Sequence, residues 1–316
     1  MVRLSLITPS LNQLSFLKEC VTRVQQFDER VEHIVSDGNS CDGTREYLEH
    51  QERARKQQTG CSFRYRSSHD QSKYEAVNLG LEMAHGDILG YINCDDIIMP
   101  WTPDYVIRFF DEHPQIDWIY GDAFEANGSR WAFLIHPPAD LLSTYVWGGG
   151  FLAQPSVFFR KSVFQQVGGF ELEFKLLADH QYWIRLMQQN FRCAKVWEIL
   201  STQRVVDGQL MQKHATLAEK ERHQIMSAAG ASPTQIKHRR AGNYVFATLH
   251  RFAILTFLSY SIQPPFFRTK YWSNAINSNF WELSSADQTL KSFFRSTEHL
   301  SYLTLSESGL RQFPAR

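Results

Sequence analysis

The chain has 316 residues, with 33 Lys and Arg balanced by 33 Asp and Glu, so no net field exists to gather nucleic acid, and a mini-protein is excluded. Its 43% hydrophobic and 21% charged residues are those of a globular protein able to bury a core, which excludes a disordered chain. One large domain, or one domain with a helical annex, is expected, because single cores stop growing near about 250–300 residues.

Leu4 to Thr8 is a short apolar, β-leaning run that Pro9-Ser10-Leu11-Asn12 breaks, and the spacing of Phe16, Leu17, Cys20, Val21 and Val24 predicts a helix after it. Val31 to Ser36 reads as a second strand ending at Asp37-Gly38-Asn39-Ser40, and Asp42-Gly43-Thr44 opens a helix through Tyr47 and Leu48. Phe63 to Ser67 reads as a third strand. A helix from Glu75 to Ala84 follows, closed by Gly86, before the strand Ile88 to Asn93. This alternation predicts an α/β fold with a mostly parallel central sheet flanked by helices. Ligands of such sheets sit beyond the carboxyl ends of the strands, where Asp37 and Asp95 both fall.

The second half is less regular. Trp118 to Tyr120 and Val157 to Arg160 read as strands, and Asp179 to Gln189 reads as a helix with Tyr182, Leu186 and Met187 turned inward. Beyond about Gln224 the rhythm ceases, so the α/β domain is placed at residues 1–225 and a helical C-terminal region at 226–316. That region holds the basic run Ile236-Lys237-His238-Arg239-Arg240 and an apolar stretch, Tyr244 to Ile262, interrupted by His250 and Arg251 and ended by Pro264-Pro265. It lacks the roughly 18 uninterrupted apolar residues of a membrane span. Two readings stay open: an interfacial helix against an anionic membrane, and a helix packed on the domain or on a second copy of the chain.

Cys20, Cys41, Cys61, Cys94 and Cys193 are scattered without a C-x-x-C pair, which predicts neither a disulfide framework nor a thiolate metal site, and points to a reducing compartment. The N-terminus enters a strand without a basic n-region or long apolar h-region, so no signal peptide is expected. The expected location is the cytoplasm, with any peripheral contact at the inner face of the plasma membrane.

The most informative stretch is Asp70 to Asp96, where a polar loop, a helix and a strand deliver Asn93, Asp95 and Asp96 to the rim of the sheet. Adjacent carboxylates repel unless a cation or hydrogen bonds neutralise them, and hard oxygen ligands suit Mg²⁺ or Mn²⁺ that also coordinates phosphate. That points to a nucleoside diphosphate. The alternative is a solvated Asp-Asp cap ahead of a helix at Trp101.

Four ordered motifs resemble the inverting glycosyltransferases of family 2, over roughly residues 2 to 222. Thr8-Pro9-Ser10-Leu11-Asn12-Gln13 resembles the opening T-P-S-Y-N-Q, with Leu11 replacing the aromatic. Ser36 to Thr44 resembles S-D-G-x-S-x-D-G-T, and Asp70 to Gly80 resembles D-x-G-x-Y-D-A-x-N-x-G with Ser72 in place of glycine. Ala84-His85-Gly86-Asp87-Ile88 through Asn93-Cys94-Asp95-Asp96 resembles A-x-G-D-I followed by the N-S-D-D version of the DxD motif. Further on, Gln154 to Arg160, Val167 to Phe170 and Leu177 to Leu186 resemble the family's Q-x-x-x-F-F-R, G-G-F-D and D-Y-D-L-W-x-R-L segments.

The resemblance implies the GT-A fold and a metal-dependent inverting transferase that uses Mn²⁺ or Mg²⁺ and a nucleotide-sugar donor, with a UDP-linked sugar expected. The implied acceptor is a glycan or lipid-linked sugar in surface polysaccharide assembly; nucleic acid is not an expected partner. The donor site implied is Asp37 for the nucleobase, Thr8 and Pro9 lining its pocket, with Asp70, Asn78 and Asn93 also on the donor. Asp95 would meet the ribose or the metal, and Asp96 the metal bridging the diphosphate. Asp179 falls where the family places its catalytic base, although on its own it reads equally as a cap of its helix.

Other residues carry plainer expectations. Asp42 reads as a local cap, Cys94 as a small buried hydrophobe, Trp183 and Arg185 as packing and salt-bridging residues, and Asp122 as either a turn residue or an acceptor contact. His180 and Gln181 stand where the family commonly has an aromatic and a second acid. Lys213 and His214 read as a solvated helix start or a loop over phosphate. A sugar nucleotidyltransferase would need a Gly-rich, Arg-containing loop after the first strand, which Pro9-Ser10-Leu11-Asn12 is not. A non-catalytic glycan- or nucleotide-binding protein with the same fold is the other alternative.

Overall fold

The computed structural model describes residues 1–55, 59–127, 130–147, 150–206 and 208–231. The expectations placed on Ile236 to Phe267 lie outside the described residues.

The first half follows the expected rhythm. Strand β1 (Leu4–Ser10) is buried along its whole length, as a central parallel strand covered on both faces must be. It runs past the expected end at Thr8 and includes Pro9. Proline is tolerated there because the pairing of β1 with β4 (Ile88–Tyr91) has already ended at Ile7 opposite Tyr91. Its missing N–H therefore breaks no ladder bond. Helix α1 (Leu14–Val24) buries Leu17, Cys20, Val21 and Val24, one stripe at helical spacing. Strand β2 (Val31–Asp37), helix α2 (Thr44–Arg55) and strand β3 (Ser62–Ser67) follow.

Helix α3 (Lys73–Met83) begins two residues before the expected start, because the Ser72 hydroxyl accepts the Glu75 amide at its N-terminus. Gly80 lets this helix lie directly on β1: a β-carbon there would stand 2.5 Å from an Ile7 methyl. β4 stops at Tyr91, short of the expected Asn93, and the chain turns out through residues 92–96 into a two-residue strand, β5 (Ile97–Ile98).

The second half contains more strand than its sequence signals. After helix α4 (Thr102–Glu112), strand β6 spans Trp118–Asn127, far beyond the expected three residues, and pairs with β7 (Arg130–Leu134). Helix α5 (Leu142–Trp147), strand β8 (Val157–Arg160) and helices α6 (Lys161–Val167) and α7 (Ala178–Gln188) come next. Strand β9 (Cys193–Arg204) was not expected at all. Its apolar alternation is masked by buried Ser201 and Thr202, and Ser201 is satisfied by a 2.6 Å hydroxyl pair with Ser156. Helices α8 (Leu210–Lys213) and α9 (Ala215–Ala228) complete the described chain. The boundary expected between 225 and 226 falls inside α9, whose Ala218 and Ile225 belong to the main core with Leu176, Leu177 and Ala178.

Among the described residues the strands form one sheet in the order β3-β2-β1-β4-β8-β6-β9-β5, with β7 on β6. The first four are parallel; β8 runs antiparallel between β4 and β6, and β9 lies parallel to β6. One aromatic-rich core lies on the face covered by α3 and α7, where Trp118 stacks on Trp183 at 5.8 Å and Phe170 packs on Tyr182. The carboxyl ends of β1, β2 and β4 meet at one rim, the switch-point edge of the sheet.

Candidate active site

The loops leaving β1 and β2 are stitched together. Asn12, in the left-handed region at φ 52°, donates its amide to Ser40 Oγ at 2.7 Å and accepts the Cys41 amide at 2.8 Å. Asp42 accepts Leu14 N–H at 2.9 Å and the Thr44 hydroxyl at 2.6 Å. It thus caps α1 as well as α2, one more helix than its sequence position suggests.

Asp37 is the knot of these loops. It is fully buried and accepts Ser40 Oγ at 2.5 Å, Ser40 N at 3.1 Å and Ser67 Oγ at 2.7 Å. Three protein donors thus hold its carboxylate and tie the two loops around it. Asp70 is placed differently. Half-buried, it packs against Gly38, where a β-carbon would lie 2.7 Å from its carboxylate oxygen, and no described residue donates a hydrogen bond to it. Burial raises its pKa, and the Arg66 charge partly opposes that.

Two other expected donor residues are turned elsewhere. Thr8 is fully buried, its hydroxyl 2.9 Å from His33 Nε2 and 3.7 Å from Cys20 Sγ, on the core side of β1. Burial holds His33 down to about 3, so the pair stays neutral. What β1 presents at the rim is backbone: Pro9 C=O accepts Cys94 Sγ at 3.3 Å. Cys94 is itself a fully buried small hydrophobe, as expected. Asn78 clamps the backbone of Phe170, donating to its carbonyl and accepting its amide, both at 2.8 Å.

Asn93, Asp95 and Asp96 do converge, in the turn between β4 and β5. Asp96 accepts Asn93 Nδ2 at 2.9 Å and Arg204 N–H at 3.1 Å, while Gln209 Nε2 donates to Asp95 Oδ2 at 3.0 Å. The Arg204 guanidinium donates to Asp95 C=O and, at 2.8 Å, to Glu19. This buried cation, delivered by the last residue of β9, compensates the paired carboxylates from behind. Burial first, then the Asp95 charge, still raises the Asp96 carboxyl above the usual carboxylate range. Asn93 Oδ1 is buried without a hydrogen-bond partner. An orphaned oxygen beside two carboxylates is a donor set that fits a hard divalent ion completed by phosphate oxygens.

Asp179 is reached through Tyr91. It lies in the first turn of α7, where the helix dipole favours an anion, and accepts Tyr91 OH at 3.1 Å and His180 N–H at 2.8 Å. Burial, then the Asp179 charge, pushes the Tyr91 phenol well up, and Asp96 adds to the same effect. Gln154 ties them further: it donates to Tyr91 C=O and accepts from Asn93 Nδ2 at 3.3 Å. Lys73 Nζ lies 4.5 Å over the Tyr74 ring and 6.0 Å over that of Tyr91. One chain of hydrogen bonds, through Asn93, Gln154 and Tyr91, thus joins the acidic turn to Asp179.

The remaining expectations resolve around it. His180 takes the aromatic's place in packing as well as position: it is buried 4.5 Å from the Phe151 ring, and burial keeps it neutral, down to about 4. Gln181 and Arg185 both reach Glu171 at 3.0 Å. Asp122 is neither a turn residue nor an open contact but a buried partner of Lys195, also accepting His136 N–H at 2.8 Å. Burial would raise its pKa, but Lys195 and His136 outweigh that and lower it. Lys213 and His214 are exposed. Sequence reasoning missed Arg204, Gln209 and Glu221, because each acts from a segment that carries no local motif.

Acidic turns at the carboxyl ends of the parallel strands stand where α/β sheets bind their ligands. The family description "Glycosyl transferase family 2" matches residues 5–168, more than half of the chain, and the chain belongs to that family. It is 29% identical over 191 residues to an uncharacterized glycosyltransferase of Mycobacterium tuberculosis, covering 57% of this chain and 67% of that protein. It is 25% identical over 193 residues to a PGL/p-HBAD biosynthesis glycosyltransferase of Mycobacterium bovis, covering 57% and 68%. Among solved structures, S. aureus TarS residues 1–349 aligns with TM-score 0.55 and 15% identity over 95% of this chain and 89% of that one. Glucosyl-3-phosphoglycerate synthase from M. tuberculosis, in complex with Mn²⁺ and UDP, aligns with TM-score 0.52 and 17% identity over 73% and 81%. The protein is a glycosyltransferase of the GT-A fold.

Proposed function

We propose that this glycosyltransferase is metal-dependent and inverting, taking a sugar from a UDP-linked donor to a glycan or lipid-linked acceptor in surface polysaccharide biosynthesis. The observation that carries the reading is the chain of hydrogen bonds that runs from Asp96 through Asn93, Gln154 and Tyr91 to Asp179. Asp95, Asp96 and the Asn93 amide oxygen would hold Mn²⁺ or Mg²⁺, which when bound neutralises charge developing on the leaving diphosphate. Asp70, half-buried and without a donor among the described residues, is the carboxyl suited to the nucleoside end, over loops that Asp37 holds in place. Pro9 would line that pocket through its backbone, while Thr8 and Asn78 support it from within.

Asp179 would take the proton of the acceptor hydroxyl as it attacks the anomeric carbon from the face opposite the diphosphate. Tyr91 OH orients that carboxylate, leaving its other lone pairs for the acceptor. A single displacement with one base inverts the anomeric centre. Relatives support the class of substrate: the named mycobacterial relative belongs to PGL/p-HBAD biosynthesis, and TarS has been crystallised with UDP and with UDP-GlcNAc.

The test is calorimetric titration of UDP with and without Mn²⁺, followed by a donor screen read as nucleoside diphosphate release. Mn²⁺-dependent UDP binding that Asp96→Ala removes supports the reading. Binding indifferent to Mn²⁺ overturns the metal assignment, and tight UDP binding without turnover of any donor favours a binding protein of the same fold.

A further inference from the structure

Glu221 lies on α9, 42 residues after Asp179 in sequence and outside all of the family motifs. It is only 3% exposed. Its carboxylate accepts the amide of Lys175 at 2.7 Å and those of Leu176 and Leu177 at 3.0 Å each. These three residues lead directly into α7, whose second residue is Asp179. The Leu176 peptide is gripped from its other end too: Tyr74 OH, on α3, donates to its carbonyl at 2.7 Å.

A carboxylate is an expensive way to fill a buried volume, since desolvating the charge costs several kcal/mol unless donors converge on it. An apolar side chain would pack α9 on α7 without that cost. What the anion adds is direction: three successive N–H dipoles converge on the two oxygens of one carboxylate, which constrains the backbone of residues 175–177. That constraint sets where the first turn of α7, and hence the Asp179 carboxylate, stands relative to Tyr91.

We infer that Glu221 is a positioning residue for the transfer reaction, holding the proposed base in line with the donor by bracing the stretch of backbone that precedes it. The inference rests on the reading of Asp179 as base. It gives α9 a part in the active site that its position near the end of the described chain conceals.

The full chain carries the test, in Glu221→Gln, Tyr74→Phe, the double variant and Asp179→Asn. The readouts are UDP release from UDP-N-acetylglucosamine or UDP-glucose, whichever the donor screen turns over, calorimetric binding of UDP with Mn²⁺, and hydrogen exchange at amides 175–177. Glu221→Gln keeps the shape but turns an amide group toward one of the backbone donors. It should lower kcat by about tenfold to a hundredfold, as misplacing a base does, with UDP affinity and donor KM unchanged and exchange at 175–177 accelerated. Tyr74→Phe should cost about fivefold in kcat. Because both side chains hold the same peptide, the double variant should lose clearly less than the product of the two single losses.

Wild-type kcat in Glu221→Gln, or a loss shared equally by kcat and UDP binding, overturns the inference. If Glu221→Gln fails to fold, Glu221→Asp, which keeps the charge but draws it back by one methylene, decides in its place, and unaltered kcat or unaltered exchange at 175–177 in that variant overturns it. Asp179→Asn separates the two levels: full transfer in that variant removes the base reading and this inference with it, whereas its inactivity beside an active Glu221→Gln removes this inference alone.

Discussion

Two regions of the described chain, the loops after β1 and β2 and the rim formed by the β4–β5 turn with the start of α7, hold their acidic residues by different means. Around β1 and β2 the partners are close in sequence: Asp37 is held by Ser40 three residues on and Ser67 thirty on, and Asp42 caps α2 two residues away. Around Asp95, Asp96 and Asp179 the partners come from afar. Arg204 and Gln209 meet the acidic turn from 108 to 114 positions further along, and Tyr91 meets Asp179 across 88. The nearby partners engage both oxygens of each carboxylate and tie the loops together. The distant ones leave Asn93 Oδ1 unpartnered and the Asp96 carboxyl above its usual pKa, which is where a ligand has something to supply.

The contrast can be broken by substitution, and the largest expected effect is chemical. Asp179→Asn should reduce transfer by about 10²–10⁴-fold while UDP binding is preserved, as loss of a general base does. Steady-state UDP release beside calorimetry checks this, and transfer retained within a few-fold would remove Asp179 from the chemistry.

Arg204→Met strikes the long-range region in its fold. It leaves the Asp95–Asp96 turn without its buried cation and Glu19 with Arg23 alone among the described residues, and urea unfolding should report a loss of about 3–5 kcal/mol. A loss under about 1 kcal/mol, the range of surface pairs, would show that the arginine is peripheral.

The raised pKa of Asp96 sharpens the comparison through pH. Because the folded carboxyl binds its proton more tightly than the unfolded one, near about 3.9, ionising it costs stability as pH rises between the two values. A divalent ion needs the ionised form, so the thermal stabilisation by Mn²⁺ with UDP should shrink as pH falls through that raised pKa. A thermal-shift series from about pH 8 to about pH 5.5 checks it, and a shift independent of pH would place the ion elsewhere.

The short-range region should yield least. Asp42→Ala removes a cap from both α1 and α2, and about 1–2 kcal/mol of stability should go with it while transfer by the folded enzyme changes little.

Much of the first half was legible because local chemistry repeats there. Short apolar strands, turn residues and helical stripes alternate, and the acidic turn after β4 stands beside its own strand. Its side-chain directions were not legible. Thr8 and Asn78 sit inside motifs yet point into the core and onto the Phe170 backbone, since a strand presents alternate faces and a motif does not state which one meets the ligand. β9 was hidden because its buried Ser201 and Thr202 read as polar until their partners are known.

The amino-acid order by itself determined the family, the alternation of strand and helix, and which acidic residues reach the rim of the sheet, all consequences of periodicity and turn chemistry acting over a few residues. Tertiary structure alone decided that Arg204 stands behind the acidic turn, that Gln209 covers Asp95, and that Glu221 braces the approach to Asp179. The physical reason is that a buried charge is defined by what surrounds it, and here those surroundings are assembled from segments tens to more than a hundred residues apart.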